Sequence, residues 1–269
     1  METLTSSRVF VFVNENTCII IQNILSEKGI YYLRNTVIQC EKWLSDEVSK
    51  AGANGIILGL SGGIDSSVLA ALGREALGRE GVLGVIMPCN SNPDDEDDAK
   101  LLAESIDVRY TRVDLSETFS VMCGAIGGEL SPLVCSNMKA RLRMVTLYAL
   151  GQSNGLLVCG TSNRSEYETG YFTKYGDSGS DLMPLASFLK RDIRTMAKIL
   201  GVPERIITKA PSAGLVDGQT DEGDMGFTYD VLDEYLATGK ITDPSAKERI
   251  DVMHRRSEHK RKPIPIFRP

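Results

Sequence analysis

Residues 58–68 read Leu-Gly-Leu-Ser-Gly-Gly-Ile-Asp-Ser-Ser-Val. An apolar run feeds a turn of small residues that opens into a helix, which is the layout of a phosphate cradle. Gly62 and Gly63 carry no Cβ, so the backbone can turn sharply and approach an anion. Ser61 and Ser66 add hydroxyl donors. Asp65 and Ser66 open the next helix, whose free N–H groups and positive dipole end favour phosphate. The stretch lacks the lysine and spacing of G-x-x-x-x-G-K-[ST], and it does not read G-x-G-x-x-G, so neither of those nucleotide loops is present. An ordinary strand-to-helix turn is the plain alternative.

Working outward, Leu33, Val37, Cys40, Leu44 and Val48 recur at helical spacing, and Gly52 sits where a helix would stop; they predict a helix over about 31–50. Apolar runs at about 55–60, 82–87, 108–113 and 156–159 predict four strands. Helices are expected through Val68 to Leu77, after the acidic run Asp94-Asp-Glu-Asp-Asp98, and over 137–152. Acid in a first helical turn complements the dipole, so that run reads as a solvated helix start in preference to a metal site. Strands alternating with helices of crossover length predict right-handed βαβ units. The fold class is α/β, a Rossmann-like parallel sheet flanked by helices. Ligands in such sheets sit at the carboxyl ends of strands, where the cradle lies. After Gly160 the pattern becomes loop-rich, followed by a helix near 187–200. Gly214 to Gly226 reads as a mobile active-site loop, and two short helical stretches and a basic, proline-punctuated tail complete the chain.

With 269 residues, 42% of them apolar and 25% charged, the chain suits one main domain with a full α/β core. A net charge of −6 argues against nucleic-acid binding, which needs a basic stripe. The six cysteines form no C-x-x-C pair, which speaks against zinc or a dithiol and for free thiols in the cytoplasm. Val9 to Val13 and Ile19 to Ile21 are too short to span a membrane. The first residues also lack the basic region and cleavage site of a signal peptide.

The arrangement Ser61-Gly-Gly-x-Asp-Ser66 resembles the loop of the ATP pyrophosphatases, which have the adenine nucleotide alpha hydrolase-like fold. They split ATP into AMP and pyrophosphate while activating an oxygen of the acceptor. A second constellation begins where the fourth strand ends: Gly160-Thr-Ser-Asn-Arg-Ser-Glu-Tyr-Glu-Thr-Gly-Tyr-Phe-Thr-Lys-Tyr-Gly-Asp177. Together with Asn137-Met-Lys-Ala-Arg-Leu-Arg143, Asp181-Leu-Met-Pro-Leu185, Lys190-Arg191, Pro211-Ser-Ala-Gly214 and Glu258-His-Lys-Arg261, it resembles the ammonia-dependent NAD synthetases, in the family's motif order. The likeness runs from about 31 to 265, dividing the chain into an extension of unknown role (1–30) and a synthetase domain (31–269).

That resemblance implies a two-step amide synthesis. The nicotinate carboxylate of deamido-NAD attacks the α-phosphorus of ATP, and ammonia then displaces AMP from the adenylate. It assigns Gly59, Leu60, Ser61, Gly62, Gly63, Ile64, Asp65, Ser66, Thr161, Lys190 and Ser212 to ATP. Arg141, Lys174, Asp181, His259 and Lys260 fall to deamido-NAD. Asp65 and Glu166 are the expected Mg²⁺ ligands and, with Lys190, the catalytic set. It also implies a homodimer with deamido-NAD bound across the interface, and free ammonia as nitrogen donor, since thirty extra residues cannot hold an amidase domain. Taken singly, these residues have plainer readings: Arg141 in a helical charge row, Lys174 and Lys190 as solvated lysines, His259 and Lys260 in a tail. Ile86-Met-Pro88 lacks the basic residue some relatives carry there, and Ser212 stands where some have threonine. The rival readings are another ATP pyrophosphatase, or a nucleotide-binding regulator without chemistry.

Overall fold

The apolar spacing from Leu33 to Val48 forms the buried face of α1 (Glu15–Lys50), which packs against α2 (Ile64–Leu77). The structure, a computed structural model, describes residues 15–211 and 220–268, with side chains from residue 29 onward. α1 starts at Glu15 instead of near residue 31 and crosses residue 30 without a break. No proline lies within it, and Gly29 alone costs only about 1 kcal/mol relative to alanine.

Four strands form a parallel sheet: β1 (Gly55–Gly59), β2 (Val82–Ile86), β3 (Arg109–Arg112) and β4 (Leu156–Val158), in the order β3-β2-β1-β4. Ile56 pairs with Val82 and Leu157, which makes β1 one of the two interior strands. Its side chains alternate: Ile56 and Leu58 enter a core with α1, α2 and α7 (Lys190–Ile199), while Ile57 enters one with α4 (Ser116–Ile126) and α5 (Pro132–Asn154). From β1 the chain winds through β2 to β3 and then returns to the other side of β1 for β4. The strand order therefore reverses between β1 and β4, where open α/β sheets bind their ligands.

α3 (Pro93–Ser105) begins at the acidic run, with Asn92 accepting from the Asp94 amide at 3.1 Å and Pro93 in the first turn. The run is not wholly solvated as expected. Asp98 is 2% exposed and pairs with Arg205 and Lys209, at 2.7 and 2.6 Å. α5 starts at Pro132, earlier than expected, because Ser131 caps it from Val134 N. α4 was not foreseen: it buries Phe119, packs Cys123 beside it and leaves Val121, Met122 and Ile126 exposed. The stretch after Gly160 contains α6 (Arg164–Thr169), too short for periodicity to mark. α8 (Glu204–Ile207) follows α7. Of the segment expected to be a mobile loop, Gly214 to Gly226, residues 214–219 lie outside the described residues, as does Ser212 before it, and most of the remainder forms α9 (Asp221–Met225). α10 (Tyr229–Thr238), α11 (Pro244–Arg256) and α12 (Glu258–Arg261) complete the chain. Met225, Phe227, Tyr229, Leu232, Ala246 and Ile250 form a third, smaller core there.

Leu44 is fully buried on the α1 face against the sheet layer. Leu44→Ala is expected to lower stability by about 2–5 kcal/mol, against less than about 0.5 kcal/mol for the exposed Tyr31→Ala. Denaturant unfolding of the two variants measures the difference.

Candidate active site

The cradle closes at the carboxyl end of β1. Leu60 N still pairs with Val85 O at 2.9 Å, and the chain then turns through Gly62 at φ +74. Gly62 is required there twice over. Its backbone lies in the left-handed region, and a Cβ would run into the Asp95 carbonyl of α3. Ser61 and Ser66 hydroxyls meet at 3.0 Å, Ser61 Oγ accepts from Gly63 N at 3.3 Å, and Ser66 and Ser67 donate to Gly63 O at 3.0 and 2.8 Å. Gly63 itself precedes α2 and has no side chain to cap it. The helix therefore presents its positive end at the turn.

Beside this turn stands Lys190, from the first residue of α7. Its ammonium donates to Asp65 Oδ2 at 2.5 Å and Glu166 Oε1 at 3.1 Å. Only 2% of its side chain is exposed, so it is not the surface lysine its sequence position allows. Burial acts to lower its pKa, but the Asp65 and Glu166 carboxylates outweigh burial and hold it above the ordinary lysine range. Burial pushes the Glu166 carboxyl up to about 7, against the opposing pull of Lys190. Asp65 receives a second donor, Asn163 Nδ2, at 2.8 Å. Asn163 also caps α6 by accepting from Glu166 N at 3.0 Å, while Glu166 Oε2 accepts from Asn163 N at 3.4 Å. This capping box fixes Glu166 at the third position of the helix.

The sequence reading missed Asn163, Tyr229 and Asp221. Tyr229 is fully buried, its ring 4.9 Å from Lys190 Nζ, and its hydroxyl lies 2.9 Å from Asp221 Oδ2 and 3.3 Å from Glu166 Oε1. Burial, then the neighbouring acids, raise the phenol's pKa, so it stays a donor. Burial likewise raises Asp221. The Asn163-x-x-Glu166 spacing is a capping-box signal that reading could have used. Tyr229 and Asp221 carry no local signal.

Of the remaining predicted residues, Thr161 follows β4 across the crevice from the cradle, with Gly160 N held by Leu182 O at 2.8 Å. Arg141, Lys174, His259 and Lys260 are brought together: Arg141 Nη2 donates to Lys174 O at 3.2 Å and Lys174 Nζ to His259 O at 2.6 Å. Lys260 Nζ donates to Gly170 O and Phe172 O at 2.7 and 2.6 Å. Asp181 stands apart from these, accepting from Tyr148 at 3.0 Å and Val158 N at 2.8 Å at the end of β4. At the end of β2, which lacks a basic residue of its own, Arg143 of α5 donates to Met87 O at 3.1 Å and Ser91 Oγ at 3.0 Å. Among the described residues no cluster of three or more His, Cys, Asp or Glu side chains could hold a metal. Nor is any helix among them long and apolar enough to cross a membrane.

A parallel sheet with a phosphate cradle at its switch point, paired with a buried lysine and two acids, defines a nucleotide-handling domain of the adenine nucleotide alpha hydrolase-like fold. Residues 36–264 match the family described as NAD synthase, and the chain belongs to that family. The NH(3)-dependent NAD(+) synthetase of Finegoldia magna is 53% identical over 82% of this chain and 90% of its own length. Among solved structures, an NMN synthetase from Francisella tularensis superposes with a TM-score of 0.84 at 36% identity, covering 87% of this chain and 98% of that one. The NH3-dependent NAD synthetase of Campylobacter jejuni, solved with a nitrate ion, gives 0.73 at 27% identity, covering 88% and 99%.

Two outcomes are expected. Gly62→Ala should weaken ATP binding at least about tenfold in titration calorimetry while the protein stays folded, since the strain and the clash fall on the turn and its contact with the first turn of α3, away from the apolar cores. The raised carboxyl of Glu166 sets a sign for stability against pH. The native state keeps this proton up to about 7, whereas the unfolded chain releases it near the ordinary 4.5, so its stabilising contribution is lost as pH rises between those values. In magnesium-free buffer, the melting temperature of Glu166→Gln relative to the parent protein should therefore climb from pH 5 to pH 8. A flat or falling difference contradicts this ionisation.

Proposed function

We propose that the chain is an ammonia-dependent NAD synthetase, a ligase that uses ATP to amidate deamido-NAD and releases AMP and pyrophosphate. The observation that supports this most is the contact of Lys190 with both Asp65 and Glu166 beside the cradle. Adenylation makes a carboxylate, a poor acceptor for ammonia, into a mixed anhydride with a good leaving group. Its difficulty is the negative charge gathered on the leaving pyrophosphate, which catalysis of this kind answers by positioning and electrostatics. The cradle's N–H and hydroxyl donors and the positive end of α2 take up part of that charge. Lys190 supplies a full cation from a site sealed from water, where it acts more strongly than at the surface.

The donor set also fits Mg²⁺, a hard ion that takes few carboxylates, keeps waters and shares substrate phosphates. Asp65 and Glu166 are two such oxygen donors, brought close enough that both pair with the Lys190 ammonium. When bound, the ion supplies further charge neutralisation at the phosphates. The basic group of Arg141, Lys174, His259 and Lys260 supports binding of the dinucleotide, and Ser212 is assigned to ATP by family likeness alone. A homodimer is supported by the apolar face that α4 and α5 leave exposed, including Val121, Met122, Ile126, Leu133 and Val134. A cytoplasmic location is supported by Cys40, Cys89, Cys123, Cys135 and Cys159, all free thiols.

A second reading rests on the solved relative called an NMN synthetase: the amidated acceptor is then the mononucleotide. Incubation with ATP, Mg²⁺, ammonium and either acceptor decides between them. NAD formed with stoichiometric AMP, stopped by chelation and restored by Mg²⁺, is expected. ADP, or turnover of the mononucleotide alone, overturns the first reading. Asp65→Asn should slow AMP release at least about 100-fold in a folded protein; full activity removes Asp65 from the mechanism.

A further inference from the structure

The residue preceding α7 is Leu189, whose side chain has no oxygen to receive the helix's first N–H groups. An uncapped helix start buried in a protein is costly, and here the acceptors come from two other helices. Lys190 N donates to Ser165 Oγ of α6 at 3.1 Å, and Arg191 N donates to Asp233 Oδ2 of α10 at 2.8 Å. Ser165 Oγ in turn donates to Asp233 Oδ1 at 2.5 Å. Asp233 is 1% exposed and Ser165 fully buried. A carboxyl group so far from water needs good hydrogen bonds, and Asp233 has one for each oxygen, at the positive end of a helix.

This knot ties α6, α7 and α10 together at the two positions the chemistry needs. Ser165 immediately precedes Glu166, and the backbone amide that Ser165 holds belongs to Lys190 itself. We infer that Asp233 is a positioning residue for the Lys190 and Glu166 pair, fixing through Ser165 where both side chains leave their helices. The inference rests on the amidation reading above. Asp233 touches neither substrate nor reacting atoms; its effect is on the chemical step, because a displacement of about 1 Å in a catalytic group can cost about 100-fold in rate.

The test compares the full-length protein with Asp233→Ala, Asp233→Asn, Ser165→Ala and the double alanine variant, measuring kcat and both nucleotide KM values for NAD formation, with folding checked by circular dichroism. Asp233→Ala and Ser165→Ala should each lower kcat about 10- to 100-fold, with both KM values within about threefold of the parent. The double variant should be no slower than Asp233→Ala, since both changes break one relay. Asp233→Asn should recover most of the loss: its amide oxygen can accept from Arg191 N while its amide nitrogen donates to Ser165 Oγ. A folded Asp233→Ala or Ser165→Ala with kcat within about twofold of the parent overturns the inference, as does a loss confined to KM, or multiplicative losses in the double variant. Should Asp233→Ala fail to fold, Ser165→Ala decides alone, because it leaves the Asp233 contact with Arg191 in place. A parent protein that forms no NAD refutes the reading of the reaction instead. Turnover by the parent with unaffected variants refutes only the role of Asp233.

Discussion

A lysine ammonium withdrawn from water must find compensation, and the structure around the cradle is organised to give it to Lys190. The penalty for burying such an ion is several kcal/mol even after relaxation. Asp65 and Glu166 supply the counter-charges and Tyr229 lays a ring face against the ammonium. The three charged residues come from α2, α6 and α7, and Tyr229 from α10. The interaction thus joins helices far apart in sequence, and loss of any one charge strands the others in a medium that tolerates them poorly.

Topology explains why these helices meet. β1 and β4 are neighbours although the chain places β2 and β3 between them. The turn after β1 opens α2 with Asp65, and the turn after β4 leads to α6 with Glu166. Both acids therefore face one crevice, whichever side chains fill the core beneath. The two apolar layers on either side of β1 hold that crevice in place.

Most of this was legible where a residue's reason is local. The apolar strands, the α1 stripe and the Ser-Gly-Gly turn each carry their own pattern within a few residues. The four strand positions accordingly emerge from sequence, with ends shifted by a residue or two. The α4 helix was not read although Phe119, Met122, Cys123 and Ile126 recur at helical spacing, and α6 was hidden by its length. Deeper misses were tertiary. Nothing near Tyr229 says that its hydroxyl will reach Glu166, and nothing near Leu189 says that its helix will borrow a cap from Asp233. Asp98 reads as one of five solvated acids, yet it is buried because Lys209 and Arg205 arrive from beyond α7. In each case the partner lies more than forty residues away.

The charge balance of the site bears on how it handles phosphate. Around Lys190 stand Asp65, Glu166 and Asp221, so acids outnumber the buried cation, and part of the excess is relieved by the raised pKa values of Glu166 and Asp221. Such a site, taken alone, repels a polyanion. Of the two groups that could reverse this, the cradle contributes only partial charges from N–H groups and a helix end. A divalent cation shared by Asp65 and Glu166 would do it fully. It would favour the ionised form of Glu166 and weaken the acids' hold on Lys190, freeing the ammonium's positive charge for the phosphates. The excess of acid that looks unfavourable for an ATP site is thus what the proposed magnesium-dependent reaction requires of it.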